Sequence, residues 1–219
     1  MMSQIEEKIK LIEEEIKIIF SSSNSSHDLN HTHRVLNNAL HIAKTENANI
    51  DIIKVSCLLH DIAREHQDRS GGLIDHAELG AELSEKILEN LDFEKKFIDE
   101  VKHCIETHRF RNEKEPKTIE AKILFDADKL DSIGAIGIGR AFVFSGESGA
   151  KVHSELSDES LIKQSEYSED DTAYREFLVK LSKIKDKMLT KEGKKLAEER
   201  HQFMTEFFEK LKSEIKGES

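Results

Sequence analysis

The stretch Lys54-Val55-Ser56-Cys57-Leu58-Leu59-His60-Asp61-Ile62-Ala63 decides the reading of this chain. It is apolar nearly all round, as a central buried helix is. It then stops on a histidine–aspartate pair, where imidazole and carboxylate have no business unless something engages them. Upstream, His27-Asp28-Leu29-Asn30-His31-Thr32-His33-Arg34-Val35 places His31 at the head of another apolar-periodic segment. Downstream, Leu124-Phe125-Asp126-Ala127-Asp128-Lys129-Leu130-Asp131 places Asp128 inside a third. His31, His60, Asp61 and Asp128 form a mixed nitrogen/oxygen donor set suited to a divalent transition metal. Such a set leaves coordination positions open for water and substrate, the arrangement of metal-assisted hydrolysis. Asp61 is the expected catalytic residue, holding the metal and helping to place its water.

Composition narrows the class. The 219 residues are 37% hydrophobic and 35% charged, with one proline and no tryptophan. That balance favours amphipathic helices over a turn-rich sheet protein, so the expected fold class is all-α. The formal charge of −11 disfavours a nucleic-acid polymer as partner. A small anionic substrate stays compatible, because a metal and a few basic groups set the local field. Cys57 and Cys104 form no CxxC pattern and read as buried reduced thiols. The first helix is laced with Glu and Lys rather than resembling a signal peptide, and no apolar run is long enough for a membrane span. The expectation is a cytoplasmic protein.

The helical period continues along the chain. Ser3 with Glu6 reads as a capping box opening a helix over 5–20, with Ile5, Ile9, Ile12, Ile16 and Ile19 on one stripe. A second helix is expected up to about Asn47 and a third over 51–60. Residues 64–75, containing Ser70-Gly71-Gly72, read as a loop. Asp75 with Glu78 forms another candidate capping box, starting a helix over 76–90. Phe93, Phe97, Val101, Cys104 and Ile105 mark a further helix, followed by apolar helices over 119–130 and 133–144. Gly134, Gly137 and Gly139 follow no strand, so they fit close helix packing rather than a dinucleotide fingerprint. Residues 146–171 are acidic and serine-rich and read as a loop or lid. Two amphipathic helices close the chain, one carrying Tyr174 through Met188 and one carrying Leu196 through Leu211.

These residues, in this order, resemble the HD-domain metal-dependent phosphohydrolase superfamily, and within it a subgroup of small bacterial and archaeal single-domain HD hydrolases. The segments that carry the resemblance are 26–35, 58–63, His76-Ala77-Glu78-Leu79-Gly80-Ala81, 123–135 and Ala197-Glu198-Glu199-Arg200-His201-Gln202-Phe203-Met204. Similarity extends over residues 5–215. The resemblance implies one HD-type domain over 1–219, with a core at 24–145, the acidic segment 146–171 and C-terminal helices over 172–216. It also implies His31, His60, Asp61 and Asp128 as ligands of a divalent ion: manganese, magnesium, cobalt, nickel, iron or zinc. The implied substrate is a small phosphorylated molecule of the nucleotide kind, cleaved at a phosphoester or phosphoanhydride bond. Oligomeric state is left open, a homo-oligomer included.

Departures narrow the subgroup. The nucleotide monophosphatase and alarmone hydrolase branches carry an acid where this chain has Arg64. The cyclic-dinucleotide branch has a lysine-containing extension after its His–Asp pair, where this chain has Ile62-Ala63-Arg64-Glu65-His66. HD-fold oxygenases bind two irons through additional histidines, a role open to His76, His103 and His108. A catalytically silent, metal-bearing interaction domain is the other alternative. Around the centre, His27, His76 and His103 are candidates to line the pocket, and Arg34, Arg64 and Lys129 to contact phosphate. Asp131 either supports the site or caps the helix that follows. His33, His41, His66, His153 and His201 read as ordinary core or surface histidines.

Overall fold

The computed structural model describes residues 3–20, 29–109 and 114–218. Among them there is no strand, and the all-α expectation holds. Packing divides the chain into two compact units, Met1–Asp128 and Lys129–Ser219.

In the first unit, helix α1 (Gln4–Phe20) opens on the expected capping box. The Ser3 amide donates to the Glu6 carboxylate at 2.8 Å, and the Glu6 amide donates back to Ser3 Oγ at 3.3 Å. Ile9, Ile12 and Ile16 form its buried stripe. Helix α2 (Leu29–Ala43) ends earlier than its apolar pattern suggests. The amides of Lys44, Thr45 and Glu46 each bond back three residues, so the last turn tightens and unwinds. Helix α3 (Ile50–Leu59) is capped by Asn49, whose side chain accepts from the Asp51 and Ile52 amides. It buries Ile52, Ile53, Val55, Cys57, Leu58 and Leu59, and it packs against α1, α2 and the later α6 (Lys95–Thr107). A helix apolar on every side is stable only where neighbours surround it, and that makes it the axis of the unit.

A further feature departs from the sequence reading here. Residues 64–69 are not loop but a short helix, α4 (Arg64–Arg69). Its sequence has no apolar period. It forms because the Arg64 amide closes a turn onto the Asp61 carbonyl at 2.9 Å, and because Arg64–Asp68 and Glu65–Arg69 pair at (i,i+4). Gly71 and Gly72 then take φ of +63° and +86°, which ends the helix. Helix α5 (His76–Asn90) has the expected bounds, and Asp75 caps it by accepting from the Ala77 and Glu78 amides. Helix α7 (Ile119–Leu130) is tied to its neighbours twice. Asn38 donates to the Ala127 carbonyl, and the Asn49 amide donates to Glu120.

In the second unit, α8 (Gly134–Glu147) and α11 (Lys191–Ile215) form the main packed pair. Gly134 has φ +76° and sits under the Arg200 side chain, while a Cβ at Gly137 would overlap the Ser132 carbonyl. Close helix packing therefore explains Gly134, the turn before α8 explains Gly137, and Gly139 has open space around it. Gly137→Ala should cost about 1–3 kcal/mol, as overpacking does. At roughly 2–4 °C per kcal/mol for a chain of this size, a thermal melt resolves that loss. A melt equal to wild type would show that the Ser132 turn yields freely. Asp131 does not cap α8. Its carboxylate pairs with Arg140 at 2.9 Å, and the helix has no side-chain cap.

The segment 146–171 contains a short helix, α9 (Asp158–Ile162), and is pinned at its ends. The Lys151 amide donates to the Glu169 carbonyl, and buried Asp171 accepts from the Tyr167 amide and from Arg175. The expected helix through Tyr174–Met188 is broken. Helix α10 (Ala173–Val179) gives way at Lys180, with φ −135°, to two 3-10 turns over 181–183 and 185–187. Leu178, Leu181 and Ile184 are spaced by three, a period that 3-10 turns satisfy as well as an α-helix does.

Candidate metal centre

His31, His60 and Asp128 come together, and Asp61 lies beside the two histidines. Asp128 on α7 offers Oδ1 at 3.4 Å from His31 Nε2 on α2. His60, at the C-terminal cap of α3, places its Nε2 at 3.4 Å from the same atom. Asp61 follows in the turn to α4, with Oδ2 at 3.6 Å from His31 Nε2 and 3.7 Å from His60 Nε2. A bond of about 2.1 Å puts neighbouring ligands about 3.0 Å apart in an octahedron and about 3.4 Å apart in a tetrahedron. The observed spacings match one divalent ion.

A second group lies on the other oxygen of Asp61. His76 Nε2 is 3.1 Å from Asp61 Oδ1, and His108 Nε2 is 3.7 Å from it. The two imidazole nitrogens are themselves 3.1 Å apart. His31, His60 and Asp128 thus make one potential metal-holding group and Asp61, His76 and His108 another. The Asp61 carboxylate faces both.

Protonation shows why these groups could hold a cation. Nδ1–H of His60 donates to the Cys57 carbonyl (2.8 Å), that of His108 to the Ile105 carbonyl (2.6 Å), and that of His76 to Gln67 Oε1 (2.9 Å). Those oxygens only accept, so each ring carries its proton on Nδ1 and turns the Nε2 lone pair inward. Lone pairs 3.1 Å apart, facing a carboxylate, repel one another unless positive charge sits among them. A further ring proton would supply it only by charging a buried imidazole. Burial opposes that: it pushes His60 down to about 4 and lowers His76, against the pull of Asp61. A divalent ion relieves the repulsion between His76 and His108, and this donor chemistry fits it.

Of the other expected site residues, His76 belongs to the second group, as a donor atom rather than a pocket wall. His103 does not join it, because its Nε2 accepts from the Lys117 amide at 3.0 Å. His27 lies outside the described residues. Arg64, three residues beyond Asp61, acts on the His76 imidazole electrostatically, and its Nε is buried without a hydrogen-bond partner, 3.3 Å from Asp68. Arg34 is half-buried on α2, one turn after His31, and Lys129 is half-buried on α7 directly after Asp128. Sequence reasoning left His108 as one of three interchangeable extra histidines and missed Gln67. The usable signal for His108 was its resemblance to His60, since both end a helix with an apolar face.

An all-helical chain with histidine, histidine–aspartate and aspartate donors drawn from separate helices defines a class, and the HD domain family model matches residues 28–133. The chain belongs to this family. It is 34% identical over 206 residues to YpgQ of Bacillus subtilis strain 168, spanning 92% of this chain and 91% of that protein. The crystal structure of an HD-superfamily hydrolase from Bacillus thuringiensis superposes with a TM-score of 0.77 at 30% identity, over 97% of this chain and 98% of the other. A structure of B. subtilis YpgQ in complex with ADP gives 0.74 at 29% identity, over 97% of each chain. No described helix is long and apolar enough to cross a membrane.

Proposed function

We propose that this protein is a metal-dependent phosphohydrolase that acts on a nucleotide or a related phosphate ester or anhydride. The observation that carries this reading is the pair of donor groups sharing Asp61. His31, His60, Asp61 and Asp128 would hold one divalent ion, manganese being a suitable choice, and Asp61, His76 and His108 a second. Such ions neutralise phosphate oxygens and make water a better nucleophile near neutral pH. The chain's own contribution is placement. Asp61 fixes the spacing of the two groups through its two oxygens. The Nδ1 hydrogen bonds of His60, His76 and His108 hold their rings in ligand-ready orientation. The nucleotide class is supported by the ADP complex of YpgQ.

Arg64 is the basic residue best suited to a substrate phosphate, because it stands three residues beyond Asp61 and its charge is felt at His76, while its Nε pairs with Asp68 at 3.3 Å. A charge-assisted hydrogen bond contributes about 1.5–3 kcal/mol, so Arg64→Ala should raise KM about tenfold or more with metal content unchanged. Wild-type kcat/KM in this variant would assign phosphate recognition elsewhere, to Arg34, Lys129 or the metal alone. A screen for phosphate and pyrophosphate release over nucleotides, with the metal-loaded protein, tests the function itself.

One observation favours a second reading. Two extra histidines sharing the aspartate also suit the di-iron oxygenases of this fold. Iron content with oxygen consumption, in place of phosphate release, would select it.

A further inference from the structure

The two donor groups are built differently. His31 and Asp128 lie within helices that Asn38 links, and His60 is anchored by the backbone of its own helix. In the second group His76 is the first residue of α5, and His108, like His60 at the end of α3, is a helix cap anchored to its own backbone, here the Ile105 carbonyl. Helix ends fray, so something must hold these two.

Three residues outside the donor set do so. Gln67 Oε1 accepts from Nδ1–H of His76 at 2.9 Å and faces the His76 amide at 3.4 Å. Arg109, next to His108, donates to Asp75, next to His76, at 2.7 Å. The other oxygen of Asp75 caps α5, accepting from the Ala77 amide at 2.8 Å. One ion pair therefore clamps the segments that bear both histidines, and one amide oxygen sets the tautomer of His76. The Gly71–Gly72 turn ends α4 and places Gln67 for that bond: the Gly72 amide donates to the Gln67 carbonyl at 2.9 Å.

We infer that Gln67 and the Asp75–Arg109 pair are positioning residues dedicated to the Asp61–His76–His108 group, so that they set its metal affinity independently of the His31–His60–Asp128 group. The inference rests on the two-ion reading above. Loss of an outer partner to a metal-binding histidine lowers metal affinity about 10–100-fold. Gln67→Leu removes the acceptor at nearly constant volume. Gln67→Glu keeps the acceptor and strengthens it, because a carboxylate makes the imidazole a better donor to metal.

The test is a titration of the full-length, metal-stripped protein with manganese(II), followed by calorimetry and by electron paramagnetic resonance. Wild type should take up two equivalents and show the coupled signal of a manganese pair. Q67L should bind the first equivalent as wild type does and the second about 10–100-fold more weakly, with the coupled signal lost at matched metal. Q67E should bind the second equivalent at least as tightly as wild type. R109Q should weaken the second equivalent alone. A Q67L protein with two wild-type equivalents overturns the inference, as does a Q67E protein that loses its second ion. If Q67L does not fold, Q67E and R109Q decide between the same outcomes. A wild-type protein that binds one equivalent contradicts the two-ion reading instead, and so separates the two failures.

Discussion

Asp61→Ala is expected to lower hydrolysis by about 1,000-fold or more, since it withdraws metal-centred stabilisation amounting to several kcal/mol. The Asp61 carboxylate faces both donor groups. Oδ2 faces His31 and His60, and Oδ1 faces His76 and His108. The fold should survive, because Asp61 lies in the turn after α3, and the bond that closes this turn uses its backbone carbonyl. Circular dichroism and turnover measured on one sample separate the two effects. A helical variant with full activity would refute the role assigned to this carboxylate.

The second large effect is expected at His108. Its alanine variant should keep one metal equivalent and lose on the order of 100-fold in kcat, since the second ion's charge is worth several kcal/mol. The first group should keep its spacing, because Asp128 Oδ1 and His60 Nε2 each lie 3.4 Å from His31 Nε2 and the His60 ring, although edge-on to His108 at 5.2 Å, is anchored to the Cys57 carbonyl. Elemental analysis beside steady-state kinetics checks both halves. Unchanged kcat with a single bound ion would make the second group dispensable for the reaction.

Much of this centre was legible in the sequence because chemistry interrupted periodicity. His60 and Asp61 stand out where an apolar helix stops, and Asp128 where another turns polar. Asp75 announced the start of α5 because a short acceptor side chain before a helical run has one common use. What was not legible depended on partners distant in sequence. Nothing near His103 shows that the Lys117 amide occupies it, and nothing near His108 shows that it meets His76, 32 positions away. Helix α4 was missed because Arg64–Arg69 has no apolar stripe; a closed turn and two ion pairs make it, and these are tertiary and local-charge effects rather than pattern. Gln67 was invisible for the same reason, since its value lies in reaching His76 across the Gly71–Gly72 turn. The break after α10 was hidden because spacing by three reads equally as α-helix or 3-10 turn.

The measurement that bears most directly on the central claim is release of inorganic phosphate and pyrophosphate from nucleoside di- and triphosphates by the manganese-loaded protein, before and after chelation. The account predicts turnover of at least one nucleotide that stops when metal is removed and returns when it is restored. A protein that carries its full metal complement, yet releases neither product from any nucleotide while consuming oxygen with iron bound, would contradict it.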